Sequence, residues 1–335
     1  MWKKNKTRVK NSMIVVTGGA GFIGSRLVVA LNAKGHDNIL VVDDLTDGRK
    51  FSNLIGLQIA DYWDISEWRT RLADGTLPNI SVIFHEGACS ETTEWDGKYL
   101  MDNNYRFTKE LINYAVEHKI PCFYASSAAV YGMTHHCRES DVDQEKPLNA
   151  YGYSKWLVDC YVRRNYLPKR AKLSSAVPLV GFRYFNVFGP HESHKGKMAS
   201  VMYHWWVAHQ QGKPLTLFGA WDGYKEGEQS RDFIYVEDVV KIILWSWENS
   251  LRSGIYNLGT GVSTTFNTMA RAFCDAVGAE NIQYVPFPDH LKGRYQSYTC
   301  ADMTALAKAG CPYQAEAPDK ALHHYIEWLK KQPVV

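Results

Sequence analysis

Tyr151 and Lys155 form Y-x-x-x-K in a stretch with helical periodicity, NAYGYSKWLVDCYVRRNY. Residues i and i+4 share one helix face, so phenol and ammonium become neighbours. A cation beside a phenol favours phenolate and draws the tyrosine pKa toward neutrality. Such a tyrosine can take a hydroxyl proton while hydride leaves the same carbon for a nicotinamide. The lysine can also bind the nicotinamide ribose. Tyr153 falls on the wrong face for this work. Ser126 and Ser127 close the strand-like FYASS, where a serine hydroxyl can hydrogen-bond the reacting oxygen. Upstream, Gly18, Gly21 and Gly24 fit G-x-x-G-x-x-G between a strand-like MIVVTG and a helix-like FIGSRLVVALNAKG. Glycines there permit a tight turn and close backbone approach, and the helix N-terminus offers free N–H groups to a pyrophosphate. Asp43 ends the next strand-like run, about 20 residues on, where a carboxylate can bind ribose hydroxyls. Asp44 adds negative charge, which repels a 2′-phosphate unless a cation such as Arg49 or Lys50 intervenes. The residues alone leave NAD or NADP open.

These groups need a rigid sheet to position them. Short runs rich in Val, Ile and Phe (MIVVTG, ILVVDD, SVIFHEGA, PCFYASSAA, PLVGFRYFNVFG) alternate with helix-like segments such as YRFTKELINYAVEHK. That alternation predicts an α/β fold, a Rossmann-type doubly wound parallel sheet covered on both faces. After about Pro190 the rhythm changes to helix-like MASVMYHWWVAHQQG, VEDVVKIILWSWENS, TTFNTMARAFCDAVG and PDKALHHYIEWLKKQ, with a polar loop, GAWDGYKEGEQSRDF. We expect a disordered leader over 1–12 and a dinucleotide-binding Rossmann domain over 13–190. Its core can recruit later segments at about 232–262. A smaller mixed α/β substrate domain is expected over 191–335. The 335 residues suffice for two such units. A net charge of +3 is too balanced for a nucleic-acid binder. Seven cysteines, an odd number with no CxxC pair, imply neither disulfide framework nor zinc site and are expected as reduced thiols in the cytoplasm. No apolar run approaches a membrane span. The doublets His135-His136 and His323-His324 lack partners at ligand spacing, so no metal is expected.

The order glycine loop, Ser127, Tyr151, Lys155 resembles the extended short-chain dehydrogenase/reductase superfamily. Its sugar-nucleotide dehydratases carry an acidic pair after the serine. Here the run is Ser127-Ala128-Ala129-Val130-Tyr131-Gly132, and alanine does no acid–base work, so an epimerase is the better match. Three further blocks narrow the resemblance: FHEGACS with TTEWDGKY and MDNN; GFRYFNVFGP with HKG and MASV; and LKGRYQ. From Met13 to near the C-terminus the chain resembles the ADP-L-glycero-D-manno-heptose 6-epimerase family. The resemblance implies tightly bound NADP, transient oxidation at C6 of an ADP-heptose, and return of hydride to the opposite face. It implies a role in the lipopolysaccharide inner core of a Gram-negative cell, and a homo-oligomer, a pentamer. Neither nucleic acid nor membrane is an expected partner.

The resemblance also assigns residues. Tyr151 matches one acid/base group and Lys195 of HKG the second, with Ser127 and Lys155 completing the catalytic set. Cofactor positions are Gly18, Gly21, Phe22, Ile23, Gly24, Asp43, Asp44, Lys50, Glu86, Gly87, Ala88, Cys89, Ser90, Asn103, Lys155, Val187 and Lys195. Substrate positions are Ser127, Asn186, Lys197, His204, Phe218, Gly219, Ala220, Trp221, Arg231 and Tyr295. A guanidinium such as Arg231 suits a diphosphate. The chain departs from the family at Lys197, where a small hydroxyl residue is usual, and at Asp44, where an amide is common. Two alternatives remain: a UDP-sugar 4-epimerase, against which the EGACS and HKG blocks argue, and a non-enzymatic NADP-sensing module, against which the retained Tyr151 and Lys155 argue.

Overall fold

The runs of consecutive apolar, largely β-branched residues are stable only where both sides of a strand are covered, and that is where they lie. A computed structural model describes residues 12–167, 177–279, 281–293 and 295–332. The predicted leader, apart from Ser12, lies outside the described residues. Six strands come first: β1 (Met13–Thr17), β2 (Ile39–Asp43), β3 (Asp61–Asp64), β4 (Ile80–His85), β5 (Cys122–Ser127) and β6 (Leu179–Tyr184). Seven more follow: β7 (Asn186–Phe188), β8 (Leu215–Phe218), β9 (Ser230–Arg231), β10 (Phe233–Tyr235), β11 (Gly254–Leu258), β12 (Thr264–Thr265) and β13 (Ile282–Val285). The helices of the first half are α1 (Phe22–Ala33), α2 (Ile65–Ala73), α3 (Gly97–Leu100), α4 (Phe107–Glu117) and α5 (Ala150–Asn165). Those of the second half are α6 (Val201–Gln210), α7 (Val236–Glu248), α8 (Phe266–Val277), α9 (Thr304–Lys308) and α10 (Pro318–Leu329).

The central sheet has seven parallel strands in the order β11-β6-β5-β4-β1-β2-β3. Side chains alternate between its faces. Ile14 and Val16 pack with Leu27 and Val28 of α1 and Val239 and Ile243 of α7. Val15 packs on the other side with Leu111 and Ile112 of α4 and Val158 and Val162 of α5. The winding reverses beside β1, which β2 and β4 flank. Ligands of doubly wound sheets bind at the carboxyl ends of the strands beside such a reversal. β11 reaches this sheet from beyond residue 190, and Leu306 of α9 joins the same core as Leu258.

Two elements differ from the periodicity reading. PLVGFRYFNVFG is two strands, not one. The Phe185 N–H donates to the Leu258 carbonyl and the Asn186 N–H to the Asp232 carbonyl, so the chain leaves β5 and β7 pairs with β10. The helix containing YRFTKELINYAVEHK begins earlier, with α3, and passes through a π-helical segment, Met101–Arg106, before α4. Such segments often occur at functional sites.

The rest of the second half holds three two-stranded pieces, β10-β7, β12-β9 and β13-β8. They surround a third core in which Met202 and Trp205 of α6 meet Phe273 of α8 and Leu322, Tyr325 and Ile326 of α10. Among the described residues no helix is long and apolar enough to cross a membrane.

Candidate active site

A cleft of about 480 Å³ opens at the carboxyl ends of β1, β2, β4, β5 and β6. Its walls hold all four predicted catalytic residues, Ser127, Tyr151, Lys155 and Lys195. They also hold the predicted cofactor residues Gly18, Gly21, Phe22, Ile23, Gly24, Asp43, Lys50, Glu86, Gly87, Ala88, Cys89, Ser90 and Val187. Asp44 and Asn103 are not among the lining residues. The Asp44 carboxylate accepts the Thr46 N–H at 2.7 Å, which holds its pKa below the usual carboxylate range. Its neighbour in the other pair, Asn104, does the local work instead of Asn103. Asn104 Oδ1 accepts the Cys89 N–H, and its Nδ2 donates to the Cys89 carbonyl and to Ser154 Oγ. This pins the loop after β4 to α5.

The glycine loop is a cradle that side chains would destroy. Gly18 has φ +67°, and a Cβ there would sit 2.6 Å from Gly87 Cα. A Cβ on Gly24 would overlap the Gly18 carbonyl oxygen. The bare backbone at the start of α1 therefore fits a pyrophosphate laid against it. Asp43 is already engaged. Its Oδ2 accepts the Ala20 N–H at 2.8 Å, and its Oδ1 meets Lys50 Nζ at 2.7 Å. Arg49 is turned outward onto Asp47. Lys50 is thus the cation that faces Asp43.

The catalytic pair is placed by α5. Asn149 caps the helix, accepting the Gly152 N–H at 2.7 Å. Gly152 lets α5 approach the turn after β5: a Cβ there would lie 2.9 Å from the Ala129 carbonyl. Tyr151 is thereby hydrogen-bonded to the Ser127 hydroxyl. Lower on the helix, the Asp159 carboxylate accepts Ser126 Oγ, Tyr124 OH and Arg183 Nε. Arg183 and Arg163 share Glu145. This buried network locks α5 to β5 and β6. The exposed Tyr153 points away, as its helix phase requires. One electrostatic expectation is corrected. Tyr151 has a raised pKa, because burial outweighs the Ser127 hydrogen bond, and Lys155 does not lower it. Lys155 is buried, donates to the Ala125 carbonyl at 2.9 Å, and is itself held down at about 8 by burial.

Lys195 enters the cleft from a separate element, the Ser193–Met198 turn. The buried carboxylate of Glu192 anchors this turn by accepting the Gly189 N–H and both Ser200 donors. Lys195 Nζ stands 5.4 Å from the centre of the Phe22 ring, and burial lowers its pKa. Asn53 holds the same turn through the His191 carbonyl and His194 Nδ1. No local motif announces Asn53, Glu192 or Asn104. They act across 141, 8 and 15 residues of sequence.

The predicted substrate residues other than Ser127 do not line this cleft. Phe218, Trp221 and Tyr295 gather with Phe287, which the sequence analysis does not single out: Trp221 stacks on Phe287 at 5.0 Å, and Tyr295 meets both Phe218 and Phe287 edge-on. The Arg231 guanidinium lies 4.5 Å from the Tyr295 ring and is only 6% exposed. Its one hydrogen bond among the described residues goes to the Ser230 carbonyl, and no carboxylate there lies within ion-pair distance. Gly219 is backbone-bonded to Val285 and Gln229, beside an exposed Ala220. Asn186 is exposed on β7 and accepts Thr299 Oγ1. His204 is exposed on the first turn of α6. Lys197 is exposed and pairs with Glu91 at 2.5 Å across the two loops that flank the cleft. Its charge is therefore spent on Glu91, itself a residue of the cleft wall. His135 stacks on Tyr298 and His324 faces Glu316.

Comparison with known proteins follows from this geometry. The sequence model of the NAD dependent epimerase/dehydratase family matches residues 14–259. The chain superposes on ADP-L-glycero-D-manno-heptose-6-epimerase of Helicobacter pylori with a TM-score of 0.82 and 28% identity, covering 96% of this chain and 97% of that one. UDP-N-acetylglucosamine 4-epimerase of Methanobrevibacter ruminantium gives 0.79 and 25% identity, covering 96% and 99%. MoeE5, in complex with UDP-glucose and NAD, gives 0.74 and 26% identity, with the same coverages.

Proposed function

The chain belongs to the NAD-dependent epimerase/dehydratase family, and on that premise we propose that it is a nucleotide-sugar epimerase. Its reaction is the interconversion of ADP-D-glycero-D-manno-heptose and ADP-L-glycero-D-manno-heptose by transient oxidation at C6 with bound NADP. The observation that carries this reading is a pair of proton-transfer groups brought to one cleft by separate elements: Tyr151, hydrogen-bonded to Ser127, on α5, and Lys195 on the Ser193–Met198 turn. A single nicotinamide would return hydride from one side only, so the C6 carbonyl must turn to present its other face, and its oxygen then needs a proton donor in a second place. Two bases allow a proton to be taken and returned on either side.

A dinucleotide bound with its pyrophosphate at the glycine cradle would supply hydride acceptance and return at the sugar carbon through its nicotinamide. The residues do the remaining work. Gly18, Gly21 and Gly24 offer backbone to the pyrophosphate. Lys50 offsets Asp43 at the adenosine end, which makes room for a 2′-phosphate and supports NADP over NAD. Tyr151 takes the C6 hydroxyl proton in one direction, with Ser127 holding the reacting oxygen. Lys195 serves the opposite face. Arg231, a buried guanidinium with no carboxylate partner, receives the diphosphate, and the Phe218, Trp221 and Tyr295 rings border it. In this reading residues 13–190, completed by β11, hold the cofactor, and 191–335 mainly hold the substrate. The enzyme works in the cytoplasm as a homo-oligomer and supplies heptose for lipopolysaccharide inner core.

The test is proton NMR of ADP-D-glycero-D-manno-heptose incubated with purified protein and no added cofactor. Appearance of the C6 epimer is the expected result. No change with added NADP and NAD, together with conversion of UDP-galactose or UDP-N-acetylglucosamine, would assign the chain to the 4-epimerases instead.

A further inference from the structure

Glu86 stands at the mouth of the sheet without a settled partner for half of its carboxylate. It directly follows β4, where His85 pairs with Tyr124, so Glu86 lies beside Ala125. Ser127 pairs with Tyr184 one strand further. Phe84, Ala125 and Tyr184 share one face of the sheet, and strand alternation puts Glu86 on that face. Tyr184 OH reaches across and donates to Glu86 Oε1 at 2.9 Å. Glu86 Oε2 is buried with no hydrogen-bond partner.

Lys155 arrives over the strand ends from the other face. Its Nζ donates to the carbonyl of Ala125, the residue beside Glu86 on β5. Among the described residues no carboxylate is within ion-pair distance of it. A buried ammonium with one neutral acceptor needs charge compensation. Two carboxylates act on it through space, Glu86 first and then Asp159, with a lesser contribution from the Cys89 thiol. Asp159 is already committed to Ser126, Tyr124 and Arg183. Glu86 is the acid with a free oxygen.

We propose that Glu86 is a positioning residue: its ionised carboxylate keeps Lys155 an ammonium above neutral pH, and so keeps a cation at the site where the nicotinamide ribose and Tyr151 meet. The inference rests on reading Tyr151 and Lys155 as the proton-transfer pair and does not depend on which sugar is bound. Burial pushes Glu86 up to about 7 and Lys155 down to about 8, so both change charge close to neutrality. The other groups packed here do not compete. His85 on β4 is held neutral, down to about 3 by burial, between Thr17 and Thr108. Cys89 on the following loop, Tyr151 on α5 and Tyr184 on β6 all have raised pKa values from burial and stay uncharged. Lys195, on the Ser193–Met198 turn, has its own acid in Glu192.

The experiment uses the full chain as purified, with lysine labelled at the ε-carbon, and follows Lys155 by carbon NMR against pH. Its signal is assigned by its loss in Lys155→Met. In Glu86→Gln the Lys155 midpoint should fall by about one pH unit, the lower end of what a nearby opposite charge produces. In Tyr184→Phe, which removes the hydrogen bond that favours ionised Glu86, it should fall by less. A Lys155 midpoint unchanged in Glu86→Gln with native circular dichroism would overturn the proposal. Should Glu86→Gln fail to fold, Tyr184→Phe decides on the same criterion. No substrate enters the readout, so failure of the heptose reading would leave this result standing.

Discussion

The glycine loop at the head of α1 and the aromatic group around Arg231 both meet the charged part of a ligand in the proposed reading, and they are built by opposite means. In the loop, backbone does the work: Gly18 and Gly24 exist as glycines because any Cβ would strike Gly87 or Gly18. The elements are consecutive, β1 then α1, and their geometry follows from local spacing. Around Arg231, side chains do the work. Phe218 and Trp221 come from one segment and Phe287 and Tyr295 from another, and the two meet only through tertiary packing. The first region is thus rigid and generic, and the second is where one member of this fold can differ from another.

The largest expected effect tests the backbone half. Gly24→Ala places a methyl on the Gly18 carbonyl and should cut bound cofactor, measured by chromatography of the denatured protein, to under about a tenth, the change that 1.4 kcal/mol brings. Retention at the wild-type level would mean that the loop does not hold the pyrophosphate. Next is the side-chain half. Arg231→Gln should raise KM by about tenfold to a hundredfold, as for a lost charged hydrogen bond, with cofactor content unchanged. A drop in cofactor content instead would merge the two regions into one site.

A third expectation concerns acid. Burial holds His85 at about 3 and His191 and His194 at about 4, below their ordinary 6.5. A base with a depressed folded pKa stabilises fully above its unfolded pKa and loses that contribution as pH falls through the folded value. Glu86, raised to about 7, works in the opposite sense between 4.5 and 7, as to a smaller extent do Glu139, Glu192 and Asp232, raised by burial, but the three histidines act over a wider span of pH. The melting temperature should therefore fall between pH 6.5 and 4, with His191→Asn and His194→Asn each reducing the slope. The smallest effect is Lys197→Ala. Its exposed pair with Glu91 is worth about 0–1 kcal/mol, so KM should stay within about fivefold. A change as large as that of Arg231→Gln would restore Lys197 to the substrate site.

The contrast also explains what the sequence discloses. The Y-x-x-x-K pair, Ser127 and the glycine triplet are readable because helix phase and strand ends dictate their geometry within a few residues. The parallel sheet is readable because its strands are apolar on both sides. The break after Tyr184 is not, since FRYFNVF stays apolar while its hydrogen bonds switch to Leu258 and Asp232. Asn104 cannot be told from Asn103 without the π-helical turn that aims it at Cys89. The pKa of Tyr151 is unreadable for another reason: spacing places Lys155 nearby, but burial and the Ala125 carbonyl decide where its charge acts. Phe287 has no motif at all; only the stack on Trp221 marks it.

The central claim is that hydride leaves and returns at one carbon while Tyr151 and Lys195 handle the protons from separate elements of one cleft. The most direct measurement uses ADP-D-glycero-D-manno-heptose carrying deuterium at C6, incubated in ordinary water and followed by mass spectrometry and NMR. The account predicts that the epimer keeps its deuterium at C6, and that unlabelled substrate run in heavy water gains none there. Loss of the label to solvent at C6 would contradict it, since the carbon would then be exchanging a proton rather than a hydride.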